Sequence, residues 1–408
     1  MDPPDNEDEG VGDEELVEVV DAEDEGFEDD GGEDDLAFGM EEIDIADNDS
    51  GEGDADVEIV DNSVVTFAKH TASVFSVSID PENSSLVASG GEDDKAYVWK
   101  IADGELAFEC KGHKDSVTCT AFSHDSKFVC TGDMSGVIKV WDTQSGQEVW
   151  NFETGGDLEW LEWHQLAHVL LAGTADGDVW MWKIPSGDTK TFQNHGCRTS
   201  CGLFMNDGTR ASVGYADGTI KVWDLKKGTP IFHLSDSTCH KGTVTCMAAH
   251  NCDVLLATGA EDSFCKLINS NTGKVLATLN AGFPEPQEEN PPSIEAVSFS
   301  NTLPLLATGS LSGVMAFWDV PTHRLRQQCK HPATVVSLKW DPTNPVIYSC
   351  CLDGIVRMWD SRSGSCEREW QGHNTEVLDL AVSRDGNKLV TGSGDSTAKV
   401  FNVQVPAR

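Results

Sequence analysis

The chain has 408 residues, 39% of them hydrophobic, and a formal net charge of -42 at neutral pH. Residues 1–60 hold 28 Asp and Glu and no Lys or Arg, while the remainder holds 42 acids against 28 bases. A chain this acidic repels nucleic acid and anionic lipid and attracts basic partners. No apolar stretch reaches the ~18 residues of a membrane span, and an N-terminus this acidic is unlike a signal or transit peptide.

Residues 1–56 are too acidic, and too poor in large apolar side chains, to offset the entropy of ordering. They are predicted to form a disordered acidic tail. Residues 57–67 are β-rich but have no earlier element to pair with.

From His70 onward a repeat sets in. Six histidines are followed, 28 or 29 residues later, by the end of a short apolar run: His70/Trp99, His113/Trp141, His195/Trp223, His240/Ile268, His331/Trp359 and His373/Phe401. Two further runs end at Trp182 and Trp318 without the histidine. The eight end positions lie 42, 41, 41, 45, 50, 41 and 42 residues apart. A fixed period in this range marks a repeat architecture. Each unit reads as four short strands, with a turn signal such as Asp217-Gly218 six residues before the final aromatic.

The units differ in chain order. The first carries His70, Ser89, Asp93 and Trp99. The second and sixth put Ser135 and Ser312 at the Asp position. The third lacks the histidine and packs Asp157, Glu159, Glu162, Trp160 and Trp163 into seven residues, as core strand or recognition surface. The fourth has Val213 where a hydroxyl is expected. The interval before the sixth holds an insertion, Asn280 to Pro292, with four prolines and three acids. The seventh carries His331, Ser349, Asp353 and Trp359. After Phe401 too few residues remain for an outer strand, so 57–67 is expected to supply it and the folded domain to span 57–408.

Gly112-His113, Gly372-His373, Trp141-Asp142, Trp223-Asp224, Trp318-Asp319 and Trp359-Asp360 make the repeat resemble the WD40 family. That resemblance implies an all-β fold, a WD40 β-propeller of eight four-stranded blades. It also implies a structural His–Ser/Thr–Asp–Trp tetrad, complete in His70, Ser89, Asp93, Trp99 and in His331, Ser349, Asp353, Trp359.

No phosphate-binding loop, nucleophile elbow or His-Glu-x-x-His motif is present. His195, Cys197 and Cys201 are close in sequence, as are Cys239, His240, His250 and Cys252. Two of those histidines belong to the repeat, so no metal site, cofactor or enzymatic activity is expected. The thirteen cysteines read as small buried hydrophobes.

The stretches Ser89 to Ala96, Thr131 to Gly136 and Asp157 to Trp160 resemble one branch of the WD40 family. That branch implies two functions. Its fungal member is a chaperone of the large-subunit ribosomal protein uL16; its animal members are associated with cell migration and angiogenesis. The charge favours the first: a non-enzymatic escort for a basic client such as uL16. The alternative is a signalling scaffold. Glu92, Asp94, Asp115, Asp157, Glu159, Glu261 and Glu376 are the expected partner-binding residues. The protein is expected to be a cytoplasmic monomer, with nuclear or membrane-peripheral pools, making no direct contact with nucleic acid.

Overall fold

The computed structural model describes residues 60–235, 237–252, 254–283 and 292–405. The expected disordered tail, 1–56, lies outside the described residues, as do 284–291 of the insertion. The described chain forms eight four-stranded antiparallel sheets, the blades of a β-propeller. Blade 1 comprises β2 (Val74–Ile79), β3 (Leu86–Gly91), β4 (Ala96–Lys100) and β5 (Leu106–Cys110). Six more blades follow the same consecutive order. The first strand of each blade touches the first strand of the next, and the innermost strand of blade 8, β30 (Val377–Val382), touches β2. The series therefore closes on itself. No helix among the described residues is long and apolar enough to cross a membrane.

Burial explains why the period was easier to read than any one strand. Inner and middle strands are covered on both faces by neighbouring blades, so they carry near-continuous apolar runs. Phe128–Asp133 and Val314–Asp319 are buried at every position. Outer strands are wet: in Cys366–Trp370 only the last residue is buried. Adjacent blades approach so closely that the second strand needs glycine near its end. A Cβ on Gly259 would lie 2.6 Å from Ile294 of the next blade, and one on Gly90 2.7 Å from Val117.

Closure comes from β1 (Val65–Phe67), which pairs with β32 (Ala398–Asn402) in the register Val65↔Val400 and Phe67↔Ala398. Phe67 also stacks on Trp99 of blade 1, with centroids 4.9 Å apart and planes 5° from parallel. Of the expected segment 57–67, Val65–Phe67 form the strand and 60–64 do not, while 57–59 lie outside the described residues. Asp61 accepts from the Ser63 N–H at 2.8 Å and takes Lys399 of β32 at 2.6 Å. Asn62 then pairs with Gln371 in the loop after blade 7.

Phe67→Ala removes the aromatic shared by the first and last blades. It is expected to lower stability by about 3–5 kcal/mol in chemical denaturation. Val64→Ala, at a half-exposed neighbour, should cost less than about 0.5 kcal/mol.

Candidate peptide-binding face

One end of the propeller is braced by buried polar networks. In blade 1, His70 Nδ1 lies 2.9 Å from Asp93 and Nε2 2.9 Å from Ser89 Oγ. The Trp99 indole N–H donates to that same hydroxyl at 3.2 Å. Blade 2 builds an equivalent network that the fixed Asp-to-Trp offset concealed. His113 meets Asp133, two residues before Ser135, at 2.9 Å, and Thr131 at 2.7 Å. Trp141 donates to Thr131 at 3.1 Å, and Ser135 donates to Asp133 at 2.7 Å. Blades 5 and 8 keep the triads His240–Asp262–Thr258 and His373–Asp395–Thr391, with Ile268 and Phe401 in place of Trp. Burial opposes charge on Asp395, but hydrogen bonds from His373 and Thr397 overcome it and hold its carboxyl well below the usual range.

The expected tetrad of blade 7 is incomplete. His331 Nε2 reaches Ser349 at 2.9 Å and Trp359 donates to Ser349 at 3.0 Å, but His331 Nδ1 faces the Gly313 carbonyl at 3.2 Å. Asp353 turns instead to Arg357, at 2.7 Å. A buried guanidinium demands a carboxylate more strongly than a neutral imidazole does. Burial, and then the Arg357 charge, push His331 down to about 4. In blade 4, where Val213 supplies no hydroxyl, His195 turns Nε2 to Asp217 at 2.9 Å and the Trp223 indole N–H has no hydrogen-bond partner among the described residues.

In blades 1, 2, 4, 5 and 8 the His–Asp pair joins two loops at the same end: the one before the inner strand and the one between strands two and three. A second ring of bonds joins the same loops. The N–H of the first turn residue donates to the carbonyl just before the inner strand: Glu92 to Ser73, Met134 to Ser116, Ala175 to Asp157 and Ala216 to Arg198 in blades 1 to 4. Glu261 to Thr243, Leu311 to Ser293, Leu352 to Thr334 and Gly394 to Glu376 complete it in blades 5 to 8.

All seven expected acids stand at this end, but in different states. Glu92, Asp94, Asp115, Asp157 and Glu261 are exposed; Glu159 and Glu376 are half-buried. Asp94 occupies its turn at a φ of 58°, which Asp tolerates better than most residues. Glu92 also braces its own blade by accepting from Ser73 Oγ at 2.7 Å, and Glu261 accepts from the Thr243 N–H at 2.9 Å. Glu159 is not open to a partner on its own, because Arg198 of blade 4 pairs with it at 2.7 Å. The recognition surface considered for the blade-3 strand is not there either. Trp160 and Trp163 are 8% and 6% exposed and sit in the cores on either side of that strand.

Sequence reasoning missed the apolar part of this face. Met134, Leu311 and Leu352 are 45%, 51% and 43% exposed, and all three hold the first turn position that Glu92 and Glu261 hold in their blades. The signal lay in aligning that position across units. It is acidic in blades 1 and 5 and apolar in blades 2, 6 and 7.

The WD domain, G-beta repeat pattern matches residues 61–100, 104–142, 187–224, 228–269, 323–360 and 364–402. Human angio-associated migratory cell protein is 49% identical over 417 residues, covering 97% of this chain and 95% of its own length. The chain belongs to the WD40-repeat family, in the branch of the angio-associated migratory cell proteins. The two unmatched intervals hold the inner strands of blades 3 and 6, the blades without the histidine. Propellers of this family are generally non-enzymatic protein-interaction scaffolds. The ribosome assembly protein SQT1 of Saccharomyces cerevisiae is 28% identical over 386 residues, covering 85% of this chain and 88% of its own. Sqt1 of Chaetomium thermophilum, solved bound to the N-terminus of the ribosomal protein L10, shares the fold. Its TM-score is 0.76 at 24% identity, covering 84% of this chain and all of that one.

Below the face runs a central channel lined by Ser78, Ala248, Ser298, Lys339 and Ala381. Glu162 holds the same register position on β10 (Leu158–Trp163). Burial pushes its carboxyl up to about 8, although the Phe204 N–H donates to it at 2.6 Å. The folded chain therefore retains a proton on Glu162 that the unfolded chain releases near 4.5, and this residue's contribution to stability falls as pH rises between those values. Glu162→Gln, measured by thermal melting, should change the melting temperature little at pH 5 and raise it at pH 8. An equal shift at both would show that Glu162 does not titrate this way.

Proposed function

We propose that the protein is an escort for a basic protein segment, most concretely the N-terminal segment of ribosomal protein uL16, also called L10. The observation that carries this reading is the composition of the braced loop face. Acids from blades 1, 2, 3, 5 and 8 are held in place beside three exposed apolar side chains, with no catalytic constellation among them. Carboxylates speed and steer the encounter with a cationic partner. Apolar contacts at the centre of an interface supply affinity that rim charges do not. A newly made ribosomal protein exposes Lys and Arg meant for RNA, and an acidic rigid ring shields them. The relationship to Sqt1 supports this client. The protein works as a monomer in the cytoplasm, where new ribosomal proteins emerge, with nuclear and membrane-peripheral pools, and it does not contact nucleic acid directly. Relationship to the angio-associated migratory cell proteins favours a second reading, a scaffold in cell migration and angiogenesis.

The test combines Glu92→Lys, Asp157→Lys, Glu261→Lys and Glu376→Lys and measures binding of a uL16 N-terminal peptide at two salt concentrations. Affinity should fall by about tenfold or more, with a weaker salt dependence. Leu311→Ser with Leu352→Ser should weaken binding without changing the salt dependence. Unchanged capture by the charge-reversed protein overturns the reading. Affinity purification of the intact protein, beside a form lacking residues 1–56, separates the two functions. An escort returns ribosomal proteins, and a migration scaffold returns cytoskeletal regulators.

A further inference from the structure

At the opposite end of the propeller, His124 and Asp125 stand in the turn between the first two strands of blade 2, Val117–Phe122 and Phe128–Asp133. His168 immediately precedes the second strand of blade 3, Val169–Thr174. One ring nitrogen from each histidine and one carboxylate oxygen of Asp125 lie within 4.8 Å of one another. His168 Nε2 is 2.9 Å from Asp125 Oδ2, and the two imidazole rings are 5.3 Å apart.

The blade scaffold does not account for this group. None of its members belongs to a His–Asp–hydroxyl network on the loop face. His124 Nδ1 is buried and has no hydrogen-bond partner among the described residues. An orphaned buried polar atom of this kind is costly in a folded protein. The Asp125 carboxylate is held in place by Ser123 Oγ at 2.8 Å and the Lys127 N–H at 3.2 Å on one oxygen, leaving the other to His168. The Phe128 ring meets His168 edge-on at 4.9 Å and fixes that imidazole from the other side.

We propose that His124, Asp125 and His168 form a divalent transition-metal site, zinc by ligand type, joining blades 2 and 3. Two imidazoles and a carboxylate are a recurrent three-residue donor set for zinc, with the fourth position left to water or a ligand. Donor atoms around zinc stand roughly 3.4 Å apart, so the ion draws this set together by no more than about 1.4 Å. His124 also lines a cavity of about 490 Å³ with Trp163, Gln165 and Arg384. Arg384 makes no ion pair among the described residues, so an anionic fourth ligand entering from that cavity would be neutralised.

A second trio, His195, Cys197 and Asp217, is equally compact but poorly suited to a cation. His195 and Asp217 already serve blade 4, and the Lys221 ammonium stands over Tyr215 beside them. Burial pushes the Cys197 thiol up, away from the thiolate a metal needs. It provides an internal control.

Intact protein, free of any affinity tag and stripped with a chelator, is titrated with cobalt(II) and the visible absorption recorded, followed by competition with zinc. One equivalent is expected to bind with the bands of a low-symmetry four- or five-coordinate ion, and zinc should displace it. His124→Asn and His168→Asn should each weaken binding by about a hundredfold or more. His195→Asn should leave it unchanged. Zinc should also raise the melting temperature of the parent and not that of folded His168→Asn. Absence of saturable binding at one equivalent, or binding that survives in the His124→Asn/His168→Asn double variant, overturns the site. Loss of binding in His195→Asn overturns it equally, by placing the ion in the other trio.

Discussion

Three residues close the ring, and every other feature of this propeller depends on that closure. A blade cannot bury both of its faces alone; each is half of two interfaces. If β1 did not pair with β32, blade 8 would lose its outer strand and blade 1 would lose the Phe67 ring that covers Trp99. Closure also fixes the spacing of all eight inner strands, and with it the channel and the radius of the loop face. The close approach at Gly90 and Gly259 is the same constraint within the ring, since blades this near leave no room for a side chain there.

The two kinds of acid in the folded part do different work. One set, Asp93, Asp133, Asp262 and Asp395, is turned inward onto histidine and is committed to the scaffold. The other set stands on the same loops, with Glu92, Asp94, Asp115, Asp157 and Glu261 exposed to solvent. Because the first set braces the turns of blades 1, 2, 5 and 8, and the ring of backbone bonds joins the loops of all eight, the second is displayed on braced loops. That matters for recognition: ordering costs are met on folding, so contacts with a basic segment go more fully into affinity. The apolar turn residues Met134, Leu311 and Leu352 are each held by a backbone bond to the loop before the inner strand of their own blade.

Much of this was legible in the chain. The interval of 28 or 29 residues between histidine and the end of the apolar run is the length of three strands with their turns; six such intervals, within eight units in register, implied the fold. The need for an N-terminal strand in the last blade also followed from counting residues after Phe401. Detail was lost where a side chain had a choice of partners. Asp353 stood at the right spacing for His331 but met Arg357 first. Asp133 stood at the wrong spacing for its family pattern and reached His113 all the same. Glu159 read as an open carboxylate until Arg198, 39 residues on, came to lie beside it.

The sequence alone therefore determined the repeat, the strand content, the closure and the sign of the charge, because these rest on local pattern and on counting. Only the tertiary structure decided which acids are open, which tetrads are complete, where Trp160 and Trp163 point, and which histidines meet across blades 2 and 3. Those outcomes turn on which side chain reaches which partner in space, within a blade for Asp353 and Arg357 and one blade on for Glu159 and Arg198 or Asp125 and His168, and a repeating chain carries no local mark of which neighbour will win a contested carboxylate.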